Sequence, residues 1–184
     1  MSTVSLRKDH DLIEKVIKSM EVTLQLLKNG KTIPESILLP VIDFSKNFTA
    51  VCHHGKEEES LFPALEQTGM PRNMGPIAVM LMEHQMTRQI ADRMEESAKE
   101  YLKTGSSANL TSDIGAYIEH VSAHLWKENN RLFMMAEMRL QGNSDQVNKS
   151  INEVEKLKLD KLGKNRTDYE SLVNQLEHDV SKII

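Results

Sequence analysis

The segment HHGKEEESLFP, residues 53–63, decides how this sequence folds, because HLWKENNRLFM at residues 124–134 repeats its pattern. Each segment begins with a histidine, has a glutamate four positions later and contains a Leu-Phe pair near its end. Residues four apart lie on one face of an α-helix, one turn above the other. The repeat therefore predicts two helices, each with an imidazole and a carboxylate on the same side.

One further histidine precedes each copy, His10 before the first and His84 before the second. The spacing of apolar residues predicts long helices over about 5–28, 34–66, 75–103 and 110–140. The connections between these helices are short, which favours antiparallel neighbours. We predict an all-α fold, in which residues 1–142 form an up-down-up-down four-helix bundle.

Residues 143–184 differ from the rest, since they are polar, rich in charge and thinner in apolar residues. They predict a C-terminal helical extension of one or two helices, broken near Gly163. The stretch from Thr167 to Glu170 resembles a capping box at the start of the last helix. Three interpretations of the extension stay open at this point: it folds back on the bundle, it forms a homodimer or a partner contact, or it is disordered.

Composition excludes several classes of function. The 184 residues carry a net charge of -4, whereas a nucleic-acid-binding protein needs a basic surface. No apolar run approaches the roughly 18 to 20 residues of a membrane span. The polar N-terminus and the single cysteine, Cys52, favour a cytoplasmic protein without an intramolecular disulfide.

The repeated histidines and glutamates predict a metal site. In an up-down-up-down bundle their positions fall within roughly 15 to 17 Å along the axis, at about 1.5 Å per residue. Imidazole and carboxylate together suit iron or manganese, and inward-facing His and Glu on bundle helices form the known two-metal carboxylate sites. The candidate metal ligands are His10, His53, Glu57, His84, His124 and Glu128.

Over residues 6–140 this pattern resembles the hemerythrin family of HHE cation-binding domains. Residues 53–63 look like the family's histidine–glutamate–Leu-Phe-Pro signature, and residues 124–133 look like its second copy, with Met134 where proline is common. The paired arrangement is especially similar to the di-iron domain of the repair-of-iron-centres proteins. The resemblance implies two iron ions with an oxo or hydroxo bridge, ahead of manganese or zinc. It also implies four terminal histidines and two bridging glutamates, Glu57 and Glu128.

A rival pair, His54 and Glu58, stands one residue later in register than His53 and Glu57. On an α-helix this pair points about 100° away from the first pair. The second copy has leucine and asparagine at the corresponding places, which favours His53 and Glu57 as the ligands. Glu58 remains a candidate hydrogen-bond partner for a ligand imidazole.

His120 lies one helical turn before His124, and three roles stay open for it: a fifth ligand, a gating or proton-transfer group, or an interface residue. We predict that the site binds or reacts with dioxygen, peroxide or nitric oxide, in stress response or iron supply. No separate catalytic residue is predicted. The alternatives are a catalase- or peroxidase-like enzyme, and an oxygen- or redox-sensing module that acts through the C-terminal helix.

Overall fold

The computed structural model describes residues 1–183, and these residues are helical apart from short turns, with no strand among them. The boundaries of the observed helices agree closely with the four long helices and the divided extension that the sequence predicts. No described helix combines the length and the apolar character needed to cross a bilayer. The helices are α1 (Val4–Lys28), α2 (35–67), α3 (Gly75–Thr104), α4 (108–139), α5 (Ser144–Leu162) and α6 (Arg166–Ser181).

Helices α1 to α4 form a bundle in which α1 contacts α2 and α4, and α3 contacts the same two helices. Two clusters of buried apolar side chains fill it. The larger cluster includes Met20, Phe48 and Ile114, and the smaller one includes Phe62 and Phe133. The candidate ligands lie where the two clusters meet along each helix, so a buried polar layer divides the apolar core.

Helices α2 and α4 contain π-helical turns at matching places. Glu57–Leu61 and Glu128–Leu132 are both π-helical, and each of these turns begins at a glutamate of the repeat. A π turn bonds each N–H one residue further back than an α turn, and such turns occur frequently at functional sites. The internal repeat of the sequence is therefore also a repeat of backbone conformation.

Helices α5 and α6 fold back on α1 and α2. Leu159, Tyr169, Val173 and Leu176 are buried in the larger apolar cluster together with residues of those two helices. The structure thus agrees with the interpretation that the extension packs on the bundle. A homodimer through the same extension remains a prediction.

The break near Gly163 is confirmed, since Gly163 ends α5 with a φ of 64°, in the left-handed region that favours glycine. The predicted capping box from Thr167 to Glu170 is wrong. Asn165 caps α6 instead, and its side chain accepts a hydrogen bond from the Asp168 N–H while the Asp168 carboxylate accepts one from the Asn165 N–H. Asparagine is a stronger N-cap than threonine, which explains the earlier start of the helix.

Candidate metal centre

The six candidate ligands come from all four bundle helices and are all buried, none being more than 2% exposed. Helix α1 contributes one histidine, and so does α3. Helices α2 and α4 each contribute a histidine and the glutamate one turn later. The structure thus brings together all six side chains that the sequence singles out, although whether they bind a metal stays a prediction.

Glu128 lies between two pairs of histidines. Its Oε2 atom is 3.1 Å from Nε2 of His10 and 3.9 Å from Nε2 of His53. Its Oε1 atom is 3.1 Å from Nε2 of His124 and 3.7 Å from Nε2 of His84. Each oxygen of this carboxylate therefore faces a different pair of imidazoles.

Glu57 also lies near one histidine of each pair. Its Oε2 atom is 3.2 Å from Nε2 of His84 and 3.9 Å from Nε2 of His53. Two groups of four donors result, and within each group the donor atoms lie within 4.8 Å of one another. Both groups contain both glutamates. One adds His10 and His53, and the other adds His84 and His124.

The donor atoms at this centre lie close to one another but form no hydrogen bonds within the protein. Nε2 of His10, His53, His84 and His124 forms no hydrogen bond, and neither do the carboxylate oxygens of the two glutamates. Buried polar atoms are normally hydrogen-bonded, because leaving one unsatisfied costs about 1 to 3 kcal/mol. These eight atoms fit a cation-binding site, because bound cations would satisfy buried donors that the protein leaves without hydrogen bonds.

The other ring nitrogen, Nδ1, is anchored in each of these histidines. Nδ1 of His53 lies 3.1 Å from Oδ2 of Asp9, and Nδ1 of His124 lies 2.9 Å from Oε2 of Glu83. Each of these acids immediately precedes a candidate ligand, on α1 and on α3 respectively. With the Nδ1–H donating to a carboxylate, Nε2 is the nitrogen that binds a metal when the ring is neutral.

The Nδ1 atoms of the remaining two histidines contact residues that follow the repeat glutamates. Nδ1 of His10 lies 2.9 Å from Oδ1 of Asn129, and Nδ1 of His84 lies 2.8 Å from Oε1 of Glu58. Both partners come directly after a glutamate of the repeat. Glu58 thus has the hydrogen-bonding position expected of it, while its counterpart in the other half is a neutral amide.

Two lysines support the acids that hold the imidazoles. Lys56 contacts Asp9, and Lys127 contacts Glu83, at equivalent places in the two repeats. The side chain of Lys56 is 0% exposed and also pairs with Glu155 of α5, whereas the side chain of Lys127 is 37% exposed. The extension therefore covers one half of the centre and leaves the other half near solvent.

The buried charges at the centre are complementary. Burial disfavours a charged His53 ring, but Glu57 and the hydrogen bond to Asp9 outweigh burial and raise its pKa to about 9. Burial also opposes ionisation of Glu128, yet the imidazoles around it, His124 first among them, hold the pKa of this carboxyl well below its usual range. A carboxylate that stays anionic when buried attracts a cation strongly, since little water screens it.

His120 stands apart from the centre. Its Nε2 lies 3.0 Å from the backbone oxygen of Glu83, and its ring centroid is 6.5 Å from that of His124. Among the described residues it belongs to no group of candidate cation donors. His54, by contrast, is buried and forms such a group with His84 and His124, although α-helical geometry directs it away from the centre.

The packing of α2 explains why His53 and His54 are both buried, although an α-helix directs them about 100° apart. Helix α2 packs against α1 and α3 and is covered by α5, so several of its faces are interior. His53 reaches Asp9 on α1, while the ring of His54 stacks on His84 of α3.

A helical bundle with a buried layer of histidines and glutamates defines a class of cation-binding proteins. The sequence profile of the Hemerythrin HHE cation binding domain matches residues 2–136, and the chain belongs to this family. The family binds metal cations, typically iron. Neither a curated protein nor a solved structure matches the chain.

Proposed function

We propose that this chain is a non-haem di-iron protein that binds or reacts with dioxygen, peroxide or nitric oxide. One observation carries the proposal: the two oxygens of Glu128 face different pairs of histidines, and both candidate donor groups share Glu57 and Glu128. A carboxylate between two donor sets suits a bridge between two metals. Membership of the cation-binding family supports the same interpretation.

The donor chemistry favours iron ahead of manganese or zinc, and leaves room for a small ligand. Two roughly octahedral metals take about twelve donor bonds, of which four imidazoles, two bridging carboxylates and an oxo or hydroxo bridge supply about ten. Bound iron would supply the change of oxidation state and the position for a diatomic or peroxide ligand. The protein holds the imidazoles through their Nδ1 atoms and limits water through the two apolar clusters.

The proposal includes an up-down-up-down arrangement of α1 to α4. On α1 and α3, residues of the smaller apolar cluster come before the candidate ligand and those of the larger cluster follow it. On α2 and α4 the order is reversed. Alternation of this kind supports antiparallel neighbours, which bring the candidate ligands of all four helices to one level.

Anaerobic loading with Fe(II), followed by metal analysis and visible spectroscopy, tests the function. We expect two irons per chain and, after exposure to air, charge-transfer bands of an oxo-bridged pair. Glu128→Ala should lose at least one iron, whereas Glu59→Ala, at a side chain that is 51% exposed, should keep both. No iron bound by the wild type, or both irons retained by Glu128→Ala, would contradict the proposal.

Separate additions of dioxygen, hydrogen peroxide and nitric oxide to the reduced protein then distinguish its activities. Reversible spectral changes indicate binding. Steady turnover of peroxide above that of free iron indicates the catalase- or peroxidase-like alternative. Transfer of iron to an iron-free acceptor protein would support the iron-supply role suggested by the resemblance to repair-of-iron-centres proteins.

A sensing role is the second candidate, because charged contacts connect the centre to the extension. Asp9, which contacts His53, also pairs with Arg166 at the start of α6. Hydrogen exchange of residues 144–181 in the oxidised and the reduced iron-loaded protein tests this role. In a sensor, the backbone amides of α6 should exchange at different rates in the oxidised and the reduced protein. Identical exchange rates would count against this role.

A further inference from the structure

The two halves of the bundle differ in what covers their outer faces. In the first half, α5 crosses α2 over Gly55 and pairs with Lys56 through Glu155. The repeat places Trp126 and Lys127 at the equivalent positions of α4. Their side chains are 55% and 37% exposed, so the face that α5 covers in the first half is open in the second.

Large apolar side chains are concentrated on this open face. Glu83 of α3 contacts Lys127 of α4, which joins the two helices at one level. The residues immediately before these two, Met82 and Trp126, are both exposed. Further exposed apolar side chains continue along both helices at helical spacing. We name the six residues together the α3–α4 face: Val79, Met82 and Met86 on α3, and Trp126, Met134 and Met138 on α4.

The α3–α4 face has the size and composition of an interface. Its side chains are 40% to 74% exposed, which puts their apolar area at the upper end of the roughly 300 to 600 Å² typical of the largest patch on a monomeric protein. A stable homodimer buries about 800 Å² per partner, of which about 65% is apolar. Tryptophan, methionine and arginine are enriched in such interfaces, and Arg131 lies over the ring of Trp126. The face can therefore supply the apolar part of a dimer interface.

The charges at the two ends of this face are complementary. The end beside the C-terminus of α3 has a groove lined by Asp92, Arg93, Glu96, Glu100 and Asp113. The opposite end carries exposed Arg131 and Arg139 on α4, while the carboxylate of Glu137 between them is bound by Thr3. An antiparallel two-fold arrangement brings the basic end of one copy beside the acidic end of the other. A second copy therefore fits this face better than a partner of a single charge.

We propose that a second copy of this chain covers the α3–α4 face, in an antiparallel two-fold dimer centred near Met82. The second copy takes the place that α5 has in the first half, so that Trp126 becomes buried and Lys127 is shielded from water as Lys56 is. Neither α5 nor α6 contributes to this interface, which distinguishes it from a dimer through the C-terminal extension. The inference goes beyond the proposed metal function and does not depend on it.

Sedimentation equilibrium of the full chain tests the proposal. We expect the wild type to dimerise with a Kd that is micromolar or tighter. Met82→Lys introduces one charge per copy at the middle of the interface and should weaken dimerisation about tenfold or more, because a buried charge without a partner is costly. Circular dichroism checks that the variant folds.

Leu157→Lys is the matched control, since Leu157 lies on α5 and is 58% exposed, against 63% for Met82. This variant should dimerise like the wild type. A wild type that stays monomeric at high micromolar concentration would overturn the proposal and leave the face to a different protein. A dimer that is weakened by Leu157→Lys but not by Met82→Lys would overturn it in favour of the extension.

The single tryptophan and an introduced cysteine report which face is buried. Emission of Trp126 should shift to longer wavelength as the dimer dissociates on dilution, in step with sedimentation. Met82→Cys lies near the two-fold axis and should form a disulfide between copies under mild oxidation, whereas Leu157→Cys should not, and the native Cys52 is buried. Dissociation without a shift of the emission, or cross-linking through residue 157 alone, would contradict the proposed interface.

Discussion

At each of the four repeat histidines, one ring nitrogen faces the centre and the other faces an anchoring oxygen. The anchors are carboxylates for His53, His84 and His124, but an amide for His10. A carboxylate partner makes an imidazole a more basic ligand than an amide does. The two halves of the centre therefore differ in the groups behind the ligands, although the ligands repeat.

Replacement of Glu58 by glutamine should weaken metal binding, because His84 then has a neutral acceptor, as His10 already has. Loss of such an outer partner typically costs about 10- to 100-fold in metal affinity, and we expect the lower end since hydrogen bonding persists. Competition between the protein and a chelating dye for Co(II) measures the change. Glu59→Gln, one residue further and 51% exposed, is the control; an equal effect in both variants would contradict this role.

At the scale of single residues, the sequence predicted the side chains that occur in both repeats better than those that occur in only one. The repeat identified the six side chains that meet at the centre. It ranked His54 behind His53, because the second copy has leucine there and α-helical geometry places His54 about 100° from His53. Only the packing of α3 against α2 reveals that both faces are interior.

The helices themselves follow from local signals. Gly105 ends α3 and Gly163 ends α5, each with a positive φ that other residues rarely adopt. The π turns at Glu57 and Glu128 were not predictable from apolar periodicity, which assumes an α-helical turn throughout. They place the two glutamates at equivalent points of α2 and α4.

Removal of the cap of α6 should destabilise the protein moderately. Asn165→Ala breaks the hydrogen bond to the Asp168 N–H, and a lost N-cap costs about 1 kcal/mol of unfolding free energy. Urea denaturation followed by circular dichroism measures it. Asn143→Ala is the matched control, since Asn143 precedes α5 but makes no capping hydrogen bond. A control as destabilised as the test variant would refute the capping effect.

Across the whole molecule, the extension makes the two halves unequal. Helix α5 crosses α2 at Gly55, where an added Cβ would lie 2.8 Å from Cε of Lys158. The equivalent residue of the second repeat is Trp126, which is 55% exposed. The first half is thus covered by a helix, and the second half faces solvent.

Because α5 covers only the first half, we expect replacement of two equivalent lysines to lower the free energy of unfolding by different amounts. Lys56→Met removes a fully buried charge from Asp9 and Glu155, and breaking a buried ion pair costs about 3 kcal/mol or more. Lys127→Met breaks a partly exposed pair, worth about 1 kcal/mol or less. Chemical denaturation of both metal-free variants measures the difference. Equal losses would show that the extension does not seal the first half.

Truncation after residue 142 tests how far the extension belongs to the folded unit. It would expose the faces of α1 and α2 that bury Leu159, Tyr169 and Val173, and it would remove Glu155 and Arg166. We expect a lower melting temperature and aggregation, because freshly exposed apolar surface promotes association. Thermal unfolding with light scattering provides the measurement. A monomeric fragment of unchanged stability would establish residues 1–142 as an independent domain.

The sequence by itself determined the helices, the polar layer of histidines and glutamates, and the family, because helical periodicity and ligand spacing are local properties of the chain. The tertiary structure decided which oxygen anchors each imidazole, that His54 faces α3, and that α5 and α6 cover Lys56 but not Lys127. These features depend on which helix lies beside which. Two nearly identical sequence repeats therefore acquire different surroundings, and with them different chemistry, only when the chain packs.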